Sequence, residues 1–298
     1  MNQDIAKFST SVNIERDAEQ ALQYIATPNA QDIFRQIASA FGNIESKQRA
    51  FMMVGAYGSG KSSFLWAFER TLNKNKNYFA GLFSVFDKFA GFDFMSFVGK
   101  PQSLLATVAE RLGLENHKNS KPIFEALDKH YQTLQKQNKG LVILIDEFGK
   151  FLEYIAQHSP ETELYFIQEL AEWTCDSNKN VLFIASLHQG FAGYSGNLTE
   201  TQRSEWRKVE GRLKELTFNE PVEQLLFLAS QHLETQEGRK KTPANFNALF
   251  EVIKEANKKI IKENYNAKFA KTLYPFDMLT AVVLTQALQR YGQNERSL

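Results

Sequence analysis

Residues 55–62 read GAYGSGKS, and no other stretch limits so strongly what the chain can fold into. The run fits G-x-x-x-x-G-K-[ST], with Gly55, Gly60, Lys61 and Ser62 in the defining places. Glycine lets a backbone curl until successive N–H groups point inward, which is what a phosphate chain needs. In that reading Lys61 reaches the outer phosphates and the Ser62 hydroxyl meets a divalent cation. Such a loop works only between a strand and a helix. Residues 50–55, AFMMVG, are apolar enough for a buried strand. Behind the loop, Phe64, Leu65, Phe68 and Leu72 recur at helical spacing. That helix, beginning near Lys61, aims its positive dipole end at the same anion. The candidate phosphate-binding residues are therefore Gly55, Ala56, Tyr57, Gly58, Ser59, Gly60, Lys61, Ser62 and Ser63.

Residues 141–147, LVILIDE, form the second informative stretch. An unbroken aliphatic run predicts a buried parallel strand. Two carboxylates at its carboxyl end are expensive unless they have a partner. Ligands of open α/β sheets sit outside the carboxyl ends of the strands. Asp146 is the candidate for holding a metal, usually through water, and Glu147 for orienting or deprotonating an attacking water. The alternative is that both carboxylates merely cap the next helix, FGKFLEYIAQH. A further apolar strand is expected over 181–186, VLFIAS. Its polar end offers Ser186 first, then His188 and Gln189, as a side chain beside the terminal phosphate and the attacking water. The other reading is that these residues only turn the corner into GFAGYSG.

With 298 residues the chain forms one large domain or two smaller ones. A formal charge of +1 gives no global pull toward nucleic acid, and neither supports nor excludes local contact. Hydrophobic residues make up 43%, enough for a sizeable core. The 25 Phe predict an aromatic-rich core, with a large partner surface as the other reading. Cys175 is the single cysteine, which excludes an internal disulfide and favours a reducing compartment. The five histidines show no metal-ligand spacing. The chain does not open on a basic region followed by an apolar run, and no apolar run is long enough for a membrane span. The expected location is cytoplasmic, with no membrane partner.

A short helix is expected over 17–25, broken at Thr27-Pro28-Asn29. Residues 30–41 follow as a helix with Ile33, Phe34, Ile37 and Phe41 on one face. Tyr24, Ile25 and Pro28 either cover a nucleotide base or simply pack against the domain. A Phe-rich strand is expected over 91–98, and helices over 101–112, 120–138 and 161–176.

The order of phosphate loop, inserted strand, IDE strand and polar-tipped strand resembles the AAA+ branch of the P-loop ATPases, in its initiator-like, STAND-adjacent part. The likeness runs over nearly the whole chain. It implies a three-layer αβα domain with a parallel sheet over 1–220 and a helical lid over 221–298. It also implies ATP as ligand, Mg²⁺ held by Ser62 and Asp146, and hydrolysis carried by Lys61, Glu147 and Ser186. Residues 203–218, RSEWRKVEGRLKELTF, resemble the family segment that carries an arginine acting on a neighbouring subunit. Arg212 matches that arginine best, with Arg207 and Arg203 in reserve, and the resemblance thus implies a homo-oligomer. A cation supplied across a subunit boundary offsets charge on the transferring phosphoryl group; the other reading of these arginines is a surface salt bridge.

The closing YGQNERSL is similar to the family's second sensor, where a lid arginine reaches the nucleotide phosphates. Arg296 takes that place, with Arg290 as runner-up. In the family a helix continues beyond this point, so either the lid is unusually short or, the favoured expectation, the chain is the amino-terminal ATPase piece of a longer protein. The last motif also resembles large bacterial ATPases of anti-phage defence systems. The expected activity is ATP hydrolysis coupled to work on another macromolecule, with nucleic acid left open as that partner. A slow nucleotide-dependent switch is the competing class. A small-molecule kinase is a third, weakened by the IDE strand, which suits activation of water. No NKxD tetrad is present, which favours ATP over GTP.

Overall fold

Strand β1 (Ala50–Val54) leads into the Gly-rich loop and lies between β4 (Val181–Leu187) and β5 (Lys214–Thr217). The computed structural model describes residues 12–291 apart from 44–45, 83, 115–118, 159, 197, 221, 236–240 and 264. β2 (Gly91–Val98) and β3 (Lys139–Asp146) complete a five-stranded sheet of order β2-β3-β4-β1-β5. All its pairings are parallel, so the strands share one carboxyl edge. Val54 pairs with Leu187 and Val98 with Asp146, which brings the loop and the acidic strand end to that edge.

Successive side chains of a strand point to opposite faces, and here both faces are covered. Met52, Ile143, Ile145 and Phe183 share one core cluster with α3 (Leu104–Arg111), α4 (Lys121–Lys136), α5 (Gly149–Gln157), α6 (Pro160–Thr174) and α7 (Glu200–Glu210). Phe51, Met53, Leu144 and Ile184 share the other with α1 (Pro28–Gly42) and α2 (Lys61–Leu72). This is the three-layer αβα arrangement expected from the sequence. The second cluster holds much of the phenylalanine: Phe34 stacks on Phe79 at 4.3 Å and Phe41 on Phe86 at 5.1 Å. Full burial of each such ring contributes about 1.5–3 kcal/mol relative to exposure.

Two carboxylates of α6 hold the helices beside it. Glu163, 6% exposed, accepts hydrogen bonds from the Ser103 hydroxyl and from the Leu105 N–H (3.2 Å) at the start of α3. Glu169 accepts one from Ser120, the N-cap of α4, whose hydroxyl makes no bond to its own helix.

The helix expected over 17–25 does not form; residues 14–20 are turns. Asp17 is 2% exposed, and its carboxylate accepts from the Asn13 N–H (2.9 Å) and from the Arg16 and Gln20 side chains (2.8 Å each). A side chain that bonds the nearby backbone competes with the helical ladder, and here it wins. The Trp66 indole of α2 donates to the Asp17 carbonyl at 3.1 Å and fixes the turn against the domain. Tyr24 packs edge-on to Tyr78, with ring centroids 5.5 Å apart. Pro28 instead opens α1, with Thr27 as the N-cap.

By internal contacts the chain divides into two units, Met1–Gly55 with Gly60–Phe218, and Ala56–Ser59 with Asn219–Leu298. In the second, α8 (Val222–Thr235), α9 (Phe246–Ala256), α10 (Ala267–Thr272) and α11 (Met278–Tyr291) surround Leu226, Phe250, Tyr265 and Met278. Among the described residues no helix is long and apolar enough to cross a membrane.

Candidate nucleotide-binding site

The loop after β1 is anchored on both sides. The Gly55 N–H donates to the Leu187 carbonyl at 3.1 Å, and the Phe218 N–H to the Val54 carbonyl at 2.6 Å. Gly58 and Gly60 take φ of +73° and +95°, a region glycine enters without steric penalty. Gly60 is the N-cap of α2, and no side chain caps that helix. An uncapped helix N-terminus is suited to an anion.

Lys61 opens α2, and its ammonium donates to the Gly55 carbonyl at 2.6 Å. Burial lowers its pKa to about 8, while Asp146 and Glu147 pull it upward. Lys61 and the acidic strand end therefore act on one another. Asp146 is 3% exposed and accepts a 2.5 Å hydrogen bond from the Ser186 hydroxyl and another from Ser62. Burial raises its pKa, against the pull of those two bonds. A cation beside it favours the carboxylate form.

The Ser62 hydroxyl and the Asp146 carboxylate form an oxygen-only pair, which suits a hard cation such as Mg²⁺. No group of three or more His, Cys, Asp or Glu fit to hold a metal occurs among the described residues. Mg²⁺ matches that sparse set, because it keeps water and phosphate oxygens in its shell.

Glu147 follows β3 with φ of +52°, unusual for a residue with a side chain. Its N–H donates to Asp146 Oδ1 and to Ser186 Oγ, both at 3.0 Å. The cap of α5 is Phe148, with no side-chain cap bond, so Asp146 does not serve as a helix cap. Ser186, 1% exposed, spends its hydroxyl on Asp146 and on the Glu147 backbone. His188 lies half-buried beyond it, bonded through Nδ1 to the Tyr194 hydroxyl at 2.9 Å. Burial lowers the His188 pKa, Glu153 and Glu147 raise it and Lys61 lowers it. Gln189 is exposed.

The sequence reading missed Lys150, whose ammonium pairs with the Glu147 carboxylate. The signal was present in the i,i+3 spacing of a carboxylate and a lysine at the start of a helix. Arg212 stands before the amino end of β5, at the sheet edge away from the loop. Its Nε donates to Glu172 at 2.6 Å and its Nη1 to the Lys208 carbonyl at 2.9 Å. Arg203 donates to the Gly196 carbonyl at 3.0 Å, and Arg207 is exposed on α7. Arg296 lies outside the described residues, as does the side chain of Arg290.

The profile of the family described as AAA domain matches residues 44–192, half of the chain. The chain belongs to the AAA domain family. It is a P-loop ATPase, as the loop and the IDE strand lead one to expect. No curated protein matches it. Among solved structures it is similar to the ORC2 protein of Aeropyrum pernix in its ADPNP-ADP complexes, at 13% identity and a TM-score of 0.46, over 95% of this chain and 68% of that one. It is similar to Drosophila ORC bound to DNA at 12% identity and a TM-score of 0.41, over 87% of this chain and 60% of that one. For domain III of the replication initiation protein DnaA of Thermotoga maritima the values are 13% and 0.37, over 89% of this chain and 98% of that one.

Proposed function

We propose that this ATPase hydrolyses ATP with Mg²⁺ and couples nucleotide state to conformational work on a macromolecular partner. One observation carries the reading: Lys61, Ser62, Asp146 and Glu147 meet at the carboxyl edge of the sheet, through the bonds to Asp146 and the mutual pull of Lys61 and the carboxylates. The loop and Lys61 hold the phosphates, and Ser62 with Asp146 holds the metal. Mg²⁺, when bound, supplies positive charge against the phosphate oxygens. Glu147 orients the attacking water and accepts its proton at the carboxylate. Ser186 acts by positioning Asp146 and Glu147 rather than by touching the phosphate, and His188 and Gln189 are the polar side chains left for the strand end.

Glu147→Gln tests this. It keeps nucleotide binding within about 3-fold and lowers phosphate release by about 10²–10⁴-fold, the usual range for a positioned base. Turnover that survives the change removes Glu147 from the role.

The Lys150–Glu147 pair favours a second reading, a slow-hydrolysing switch whose base is held by a neighbouring cation. Concentration dependence separates the two. A machine with an arginine acting between subunits, Arg212 first and Arg207 or Arg203 otherwise, gains specific activity as it assembles; a monomeric switch does not. Arg296 as the lid arginine, a cytoplasmic location and a place in bacterial antiviral defence belong to the same proposal. They are supported by the resemblance of the last residues and by the single cysteine.

A further inference from the structure

We propose that Gly99 is a positioning residue for the hydrolytic carboxylate: by having no side chain it lets the Glu147 backbone turn left-handed against the end of β2. The inference rests on the reading of Glu147 as the base. β2 ends at Val98, opposite Asp146, and the Gly99 N–H extends the ladder by donating to the Asp146 carbonyl at 2.8 Å. A Cβ on Gly99 would stand 1.9 Å from the Glu147 carbonyl oxygen, 2.7 Å from its carbon and 3.3 Å from the Asp146 carbonyl oxygen. These are backbone atoms, so no change of rotamer relieves the clash. Gly99 is not among the glycines with positive φ. Glycine is therefore required here for space and not for conformation.

The other side of the turn is held as firmly. Glu147 at φ +52° persists only because its surroundings over-determine it. Its N–H is bonded to Asp146 Oδ1 and Ser186 Oγ, and the next N–H, of Phe148, to the Ser186 carbonyl at 2.9 Å. The Glu147 carbonyl lies against Gly99 and accepts the Lys150 N–H at 3.1 Å, and its carboxylate pairs with the Lys150 ammonium. Gly99 closes this clamp from the neighbouring strand. Any side chain there pushes the Glu147 peptide out of place, and a misplacement of about 1 Å at a reacting group lowers rates by about 10²-fold.

Gly99→Ala is the test, read as kcat against nucleotide affinity. It lowers kcat by about 10²-fold and leaves the dissociation constant for ATP within about 3-fold. In the Glu147→Gln background it lowers the residual rate no further. A kcat within 2-fold of the parent, or a loss of affinity that matches the loss of kcat, overturns the proposal. Thermal unfolding supplies a readout independent of activity. Glycine at 147 can swing away from an added methyl, so Glu147→Gly recovers most of the melting temperature that Gly99→Ala loses, even where Gly99→Ala alone does not fold. Simple additivity of the two changes, or a double variant that stays unfolded, overturns the clamp. Should Glu147→Gln keep full turnover, the base assignment fails while this stability cycle still decides the clamp.

Discussion

The Ser186 hydroxyl donates to Asp146 Oδ1 at 2.5 Å and accepts the Glu147 N–H at 3.0 Å, so one side chain of β4 orders two consecutive residues of β3's end. Ser186→Ala leaves a buried carboxylate oxygen and a backbone donor without this partner. Asp146 Oδ1 and the Glu147 N–H keep their bond to each other at 3.0 Å, so the cost is that of the two lost bonds, about 0.5–1.5 kcal/mol for the one to the N–H and about 1.5–3 kcal/mol for the one to the carboxylate. The expected outcome is a clear drop in melting temperature, and a loss in kcat that exceeds the loss in ATP affinity. Unfolding curves and steady-state kinetics on the same preparation check both.

Lys61→Ala removes the ammonium that interacts with Asp146 and Glu147 and that closes on the Gly55 carbonyl. Nucleotide binding is expected to fall by about 10²-fold or more, and turnover with it. Calorimetric titration with ATP measures it. Retained affinity would place the phosphates elsewhere.

Glu163→Ala concerns stability alone. This buried carboxylate on α6 serves the Ser103 hydroxyl and the Leu105 N–H at the start of α3. Its loss should lower stability by about 1–3 kcal/mol, seen as a shifted denaturant midpoint with an unchanged slope. ATP affinity should stay as it is.

Glu69, on α2, gives a pH signature. Burial raises its carboxyl from 4.5 to about 7; Arg70 opposes the shift, and Glu19 and Asp93 add to it. Between those values the folded chain binds a proton that the unfolded chain has lost. Stability from this group therefore falls as pH rises from 4.5 to about 7 and levels off above. Melting temperatures of the parent and of Glu69→Gln, followed from pH 5 to 8, should show a steeper decline for the parent. Parallel curves would remove Glu69 as the cause.

Much of this was legible in the chain itself. The apolar runs at 50–54, 141–145 and 181–186 become strands, because an unbroken aliphatic stretch of that length suits a parallel strand buried on both faces. Other features escaped because they depend on side-chain and backbone partners that the apolar periodicity does not show. The Asp17 turn replaced an expected helix once its carboxylate found Asn13 and Gln20 and Trp66 closed over it. Gly99, one glycine among 16, gains meaning only beside the Glu147 carbonyl.

Alone, the order of residues determined a strand, a glycine-rich bend and a helix able to cradle phosphate, together with an acidic strand tip, since those depend on spacing among near neighbours. Only the tertiary structure decided that Asp146 meets Ser186, 40 positions away, and that the peptide of Glu147 rests on Gly99. Strand order and register bring such groups together, and neither is written in the periodicity of any single segment.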